Sequence, residues 1–156
     1  MKKIIFSTIV LSILFIAACS KVDDIRGIWK ITDFRYNYYN ANNNLLYSKS
    51  NDIIKQAQFR FSDTELYFCD DDGYELSDLG FVGNYRLNTK INPMTLITVK
   101  GKDSLTYTIL SLTSTQMILQ QQPFNGGGYN DTVTKQYVQV NHSALIITLK
   151  KQNIRE

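Results

Sequence analysis

From Gly27 onward the chain is a train of short segments in which apolar and polar residues alternate, and this alternation constrains the fold more than any other feature of its 156 residues. The runs are rich in Ile, Val, Thr, Tyr and Phe and occupy about 27–36, 56–62, 64–69, 82–89, 94–100, 103–112, 115–122, 133–140 and 144–150. A period of two sends successive side chains to opposite faces of an extended strand. Most runs are separated by two to four residues of turn chemistry, as at Ser62-Asp63, Asn92-Pro93, Gly101-Lys102 and Asn141-His142-Ser143. Short connections make sequential strands antiparallel neighbours. The fold expected is all-β: eight such strands, or nine if every run counts, close into an antiparallel up-and-down barrel, which removes exposed edges. A sandwich is the alternative.

The same alternation assigns the two faces. Trp29 and Ile31, Phe59 and Phe61, Leu66 and Phe68, Tyr85 and Leu87, Leu105, Tyr107 and Ile109, Met117 and Leu119, then Leu145, Ile147 and Leu149 share one face of their strands. Lys30, Arg60, Glu65, Arg86, Thr106, Thr108, Gln116 and Gln120 take the other. An eight-stranded barrel is just wide enough to be filled by side chains or to hold one small ligand, and this interior set is bulky.

Ahead of the strands, Lys2 and Lys3 precede an apolar run of 13 residues, Ile4 to Ile16, the layout of an export signal. A membrane span needs about 20 apolar residues, so the run is too short to be one. Its end, Ile16-Ala17-Ala18-Cys19, resembles the lipobox of bacterial lipoproteins, which implies cleavage before Cys19 and attachment of diacylglycerol and palmitate-class chains there. Ser20 offers no inner-membrane retention signal, and Lys21 with Asp23-Asp24 reads as a solvated tether or, by resemblance, as a surface-export tag interrupted by Val22. The expected location is the outer membrane, on either its periplasmic side or the cell surface. The expected organisation is a signal peptide over 1–18, a lipidated tether over 19–26, a barrel over 27–150 and a tail over 151–156.

Cleavage leaves 138 residues, enough for one domain. It also removes two basic residues and leaves 15 against 14 acidic, so the mature chain is nearly neutral and carries no basic cluster for nucleic acid. With Cys19 acylated, no intramolecular disulfide framework supports the fold.

Gly27-Ile28-Trp29 at the head of the first strand, a large loop and then a train of antiparallel strands resemble the lipocalins. With Gly83-Asn84-Tyr85-Arg86-Leu87 and Tyr107-Thr108-Ile109-Leu110-Ser111-Leu112 in order, the mature chain is similar to lipocalin-like domains of small bacterial lipoproteins. The resemblance implies Trp29 as a plug at the closed end of the barrel and a ligand site at the open end.

Catalytic chemistry is poorly represented, and neither an enzyme nor a cofactor is expected. His142 is the only histidine and falls in a turn, which leaves no triad and too few ligands for zinc. Asp70-Asp71-Asp72 with Glu75 and Asp78 reads as a solvated acidic loop whose spacing is not that of an EF-hand, with a cation site as the alternative. Gly126-Gly127-Gly128 reads as a flexible loop rather than a phosphate cradle.

Segment 37–55 mixes Asn37, Asn40 and Asn42 to Asn44 with Tyr38, Tyr39 and Tyr47. Tyr supplies rigid amphipathic contact area and Asn adaptable hydrogen bonds, a pairing common in binding loops; a disordered or simply solvated connector is the other reading. Arg35 lies about 20 Å along the strand from Trp29 and shares its parity, so without a bulge it points into the mouth. The expected function is a membrane-anchored barrel that binds a small apolar or amphipathic molecule at its open end, with Arg35, Tyr36, Tyr38, Tyr39 and Tyr107 bordering the pocket. The alternative is a filled barrel that grips a protein or glycan through loops 37–55 and 123–132.

Overall fold

The structure is a computed structural model and describes residues 25–52, 54–70, 83–121 and 124–153. The export signal, Cys19 and the acidic residues Asp71, Asp72, Glu75 and Asp78 lie outside the described residues.

Twelve strands are present among them: β1 (Gly27–Tyr39), β2 (Leu45–Ser50), β3 (Gln58–Phe61), β4 (Glu65–Cys69), β5 (Gly83–Asn88), β6 (Thr95–Lys100), β7 (Asp103–Leu112), β8 (Gln116–Gln121), β9 (Phe124–Asn125), β10 (Gly128–Asn130), β11 (Tyr137–Gln139) and β12 (His142–Lys151). Eight form a closed antiparallel barrel in the order β1-β3-β4-β5-β6-β7-β8-β12, and β12 returns to pair with β1. This is the architecture the resemblance implies. Of the nine runs read from sequence, the one at 133–140 is not a barrel stave. Its only strand is β11, which pairs with β10 in a separate hairpin.

β1 is long enough to need two neighbours on one side. Its lower part, Gly27 to Lys30, pairs with β3, and its upper part, Arg35 to Tyr39, pairs with β2. Between them the chain makes one 3-10 turn at Ile54–Gln56. The join is held by Asn51 N–H donating to the Phe34 carbonyl at 2.8 Å and Ile31 N–H donating to the Ala57 carbonyl at 2.9 Å.

The inward face is almost wholly apolar, with Thr98 the buried polar residue in register with Tyr85 and Leu105. Trp29, Ile31, Phe59, Leu66, Phe68, Leu96, Tyr107, Met117, Leu119, Ile147 and Leu149 are each at most 1% exposed and belong to one cluster. Tyr85, Leu87 and Leu105 pack against it, partly buried. Phe59 stands edge-on to both Phe61 and Phe68, at 6.2 and 5.4 Å between ring centres, the arrangement aromatic quadrupoles favour. Side chains thus occupy the interior along the described strands.

The strand directions define two poles. At one, the chain enters at Ile25 and leaves after Lys151, and the turns at 62–64, 89–94 and 113–115 gather. Trp29 sits just inside this tether pole, its indole N–H donating to the Ile25 carbonyl at 2.7 Å and the Lys151 ammonium 5.4 Å from its ring centre. The opposite pole, the mouth, carries the β1–β2 hairpin and the excursion from β9 to β11.

A correction concerns Arg35. The β1–β12 register slips between Ile31 and Asp33, so Thr32 is an extra, bulged residue. An odd insertion exchanges the two faces of every residue beyond it. Phe34 is therefore buried and Tyr36 packs on the core, while Arg35 lies outside, 45% exposed and paired with Asp33 at 3.0 Å. The inward-pointing arginine expected from simple parity does not occur.

Candidate tyrosine-lined site at the mouth

Beyond the bulge, Tyr36 and Tyr38 share the inward face of β1, and the register sets Lys49 opposite Tyr36 and Tyr47 opposite Tyr38. The inner face of the barrel thus continues past the rim as the inner face of the β1–β2 hairpin, and there it changes from aliphatic to phenolic. The hairpin turn explains the asparagines. Asn40 Oδ1 accepts from the backbone N–H of Asn42 and Asn44 at 2.9 and 3.0 Å, and Asn43 takes a positive φ of 61°. Asn side chains satisfy such turns locally and tolerate the left-handed region. On the outer face, Ser48 donates to Asn37 Oδ1 at 2.7 Å and Asn37 donates to the Tyr39 hydroxyl at 3.1 Å. The asparagine run builds and braces the hairpin.

The second wall comes from the β10–β11 hairpin. Gly126 and Gly127 have φ of 74° and 92°, conformations that side-chain-bearing residues rarely adopt, and they turn the chain from β9 into β10. Gly128 serves a different purpose. A Cβ there would lie 2.3 Å from the Val138 carbonyl oxygen and 2.6 Å from the Tyr137 ring, so only glycine lets β10 and β11 close. The far turn is capped by Asp131, whose carboxylate accepts from the N–H groups of Val133 and Thr134, both at 2.7 Å. Those bonds hold its pKa below the ordinary carboxylate value. Of the glycine triplet, Gly126 and Gly127 form the connection between β9 and β10 and Gly128 begins β10.

The two walls meet at Tyr129. Its ring stacks on Tyr47 at 4.4 Å and 20°, and lies 5.5 Å from Tyr38, which is itself 6.0 Å from Tyr47. Two grooves flank this triad. One, of about 440 Å³, is lined by Tyr36, Tyr38, Lys49, Ser50, Asn51 and Asp52. The other, of about 280 Å³, is lined by Tyr38, Tyr47, Lys49, Gly128, Tyr129, Asn130, Thr132 and Tyr137. Tyr38 and Lys49 line both, so the grooves adjoin.

Partial burial, then the neighbouring phenols of Tyr36, Tyr47 and Tyr137, raise the Tyr38 pKa above the ordinary tyrosine value. Tyr38 therefore stays a neutral donor and acceptor at any physiological pH. At the groove edge Asp52 accepts from the Lys55 ammonium at 2.7 Å, which lowers the carboxyl pKa and raises that of the amine.

Of the residues expected to border a pocket, Tyr36 and Tyr38 line the grooves. Arg35 is on the outer wall. Tyr39 is on the outer face of the hairpin, stacked at 4.9 Å and 10° on His142, which begins β12 rather than sitting in a turn. Tyr107 is wholly buried mid-barrel, where desolvation raises its pKa. Sequence pattern does not identify Tyr47, Tyr129, Tyr137 or Lys49 individually as ligand contacts. The only sign of Tyr129 in the sequence is an aromatic residue within a glycine-rich polar stretch.

In comparisons with known proteins, no family model, no curated protein and no solved structure matches the chain.

Proposed function

We propose that this is a non-enzymatic, lipid-anchored binding protein that holds a glycan in the tyrosine-lined grooves at the mouth of its barrel. The observation that carries the reading is the chemistry of the lining. Five tyrosines are joined by Ser50, Asn51, Asn130 and Thr132, and no Leu, Ile, Val, Met or Phe is among the described residues lining either groove. A fatty-acyl tail or an apolar peptide side chain needs aliphatic contact, which is missing there. A sugar ring needs an aromatic face for its slightly positive C–H groups and amide or hydroxyl partners for its own hydroxyls. The two grooves together fall within the roughly 300–1,000 Å³ of small-molecule sites.

Support for the anchor comes from the lipobox-like Ile16-Ala17-Ala18-Cys19 and from the likeness to lipocalin-like domains of small bacterial lipoproteins. Cys19 takes the lipid, and the outer membrane is the proposed location. The interior pocket built around Arg35 is set aside, because the Thr32 bulge puts that residue outside.

The glycan reading is tested with an array of neutral and acidic glycans, followed by titration calorimetry on the best binder. Tyr129→Ala removes the ring shared by both walls and should weaken binding at least about tenfold, the scale of one lost stacking contact. Its melting temperature should move little. Binding to fatty acids or apolar peptides but to no glycan would overturn the assignment. The anchor is tested separately: the native chain should partition into detergent, and Cys19→Ala should release it. A Cys19→Ala chain that is processed normally and stays on the membrane would refute lipidation.

A further inference from the structure

Charge is unevenly divided between the poles. Within four residues of a strand end at the tether pole lie Arg26, Lys30, Arg60, Arg86, Lys90, Lys150 and Lys151. The acidic residues described there are Asp63 and Glu65. Asp63 pairs with Arg26 at 2.9 Å, and Glu65 accepts from the Tyr67 hydroxyl. Elsewhere the described residues are nearly balanced, with six basic and five acidic side chains. The tether's Lys21, Asp23 and Asp24 subtract only one unit from the basic excess.

These cations form an arc over β12, β1, β3 and β5 with its following turn, and none lies at the tether-pole ends of β7 and β8. Lys150 pairs in register with Lys30, and Lys151 with Trp29, where the barrel closes. Farther round, Arg86 and Lys90 flank a groove of about 350 Å³ that also includes Leu87 and Ile97. Next to Lys90, at the tip of the β5–β6 turn, Ile91 is 47% exposed. A basic arc with an apolar tip is the surface that anionic headgroups attract, at about 1 kcal/mol per Lys or Arg near the bilayer.

Chain length brings that surface within reach. Ile25 is 2% exposed and fixed under Trp29, so five residues, Ser20 to Asp24, separate Cys19 from the barrel. Five residues span at most about 18 Å. We propose that the tether pole is a membrane-docking face. Its basic arc seats on anionic phospholipid headgroups, Ile91 enters the headgroup layer, and the tyrosine grooves are directed away from the bilayer. The arc and its charge stand on the fold. Only the proximity of the bilayer rests on the anchor reading.

The test uses the chain from residue 20 onward, which contains the whole closed barrel and its core and has no acyl chain. It is mixed with vesicles of phosphatidylethanolamine alone or with about one third phosphatidylglycerol. Expected is co-sedimentation with the anionic vesicles only, lost as salt shortens the screening length from about 10 Å to about 3 Å. The double variant Lys90→Glu, Lys150→Glu changes exposed side chains and should weaken vesicle binding at least about tenfold while glycan affinity stays unchanged. Ile91→Ser should weaken it by a smaller factor. Equal binding to both vesicle types, or no response to the charge reversals in a variant that melts normally, would overturn the proposal. So would abolition of binding by millimolar inorganic phosphate at constant ionic strength, which would mark a discrete anion site instead. Because the protein tested has no Cys19, failure of the anchor reading and failure of the docking face are read in different experiments.

Discussion

Tyr107 and Tyr129 are the same residue used for opposite ends. Tyr107 sits mid-barrel, fully buried against Leu96 and its neighbours, and fills volume where a close-packed interior tolerates no gap. Tyr129 sits on a three-residue strand at the mouth, half-buried, stacked on Tyr47 and lining a groove. The barrel orders its aromatics by burial, the mouth by stacking on one another across two hairpins. A surface assembled in the second way can lose a ring without losing the fold, which is the condition for a site to change its ligand while its scaffold persists.

The largest expected effect that sharpens this contrast is on the barrel side. Trp29→Ala removes the largest wholly buried side chain and its bond to Ile25, and should cost about 3–5 kcal/mol in denaturant unfolding. A variant that melts like the wild type would show that the plug contributes little. On the mouth side, Gly128→Ala forces a Cβ against the Val138 carbonyl and should destabilise the β10–β11 hairpin by about 1–3 kcal/mol. Amide exchange should quicken at Tyr129 and Val138 and stay unchanged in β7 and β12. Uniform quickening would mean that hairpin and barrel unfold as one unit, and the contrast would fail.

The smallest effect is acidic. Asp131 is held below its ordinary pKa by the turn it caps, so its support is complete above about pH 5 and is lost as pH falls through the lowered value. The hairpin signals should broaden in acid before barrel signals do. Asp131→Asn should remove the pH dependence.

The eight staves were legible because a strand buried on one face must alternate, and nearly all the residues assigned inward are in the core. Leu96 shows how the pattern is read past: it lies in a run where Thr95 and Thr98 are also buried, so period two is blurred. The bulge at Thr32 left no mark, since an inserted threonine is an ordinary strand residue and its effect is carried entirely by the residues from Asp33 to Tyr39, whose faces it exchanges. β2 was hidden for a related reason. Its inner face is Tyr47 and Lys49, which look onto grooves rather than a core, and a register slip puts Leu45 with Tyr39 on the outer face, so hydrophobicity does not announce it. The meeting of Tyr47 with Tyr129, separated by some eighty residues of chain, is a matter of register at two hairpins and cannot be seen in either segment alone.

β1 begins where the tether enters and ends at the grooves, a single strand roughly 40 Å long. A pull between Ile25 and the bound partner therefore runs parallel to β1 and across its hydrogen bonds, which lie perpendicular to the strand. The ten register pairs with β12 on one flank and those with β2 and β3 on the other are loaded in shear, all together. Peeling would break them one by one at far lower force. With the proposed anchor and the proposed ligand at opposite ends of one strand, the molecule would be mechanically a tension member, and the barrel around β1 would keep it from sliding out.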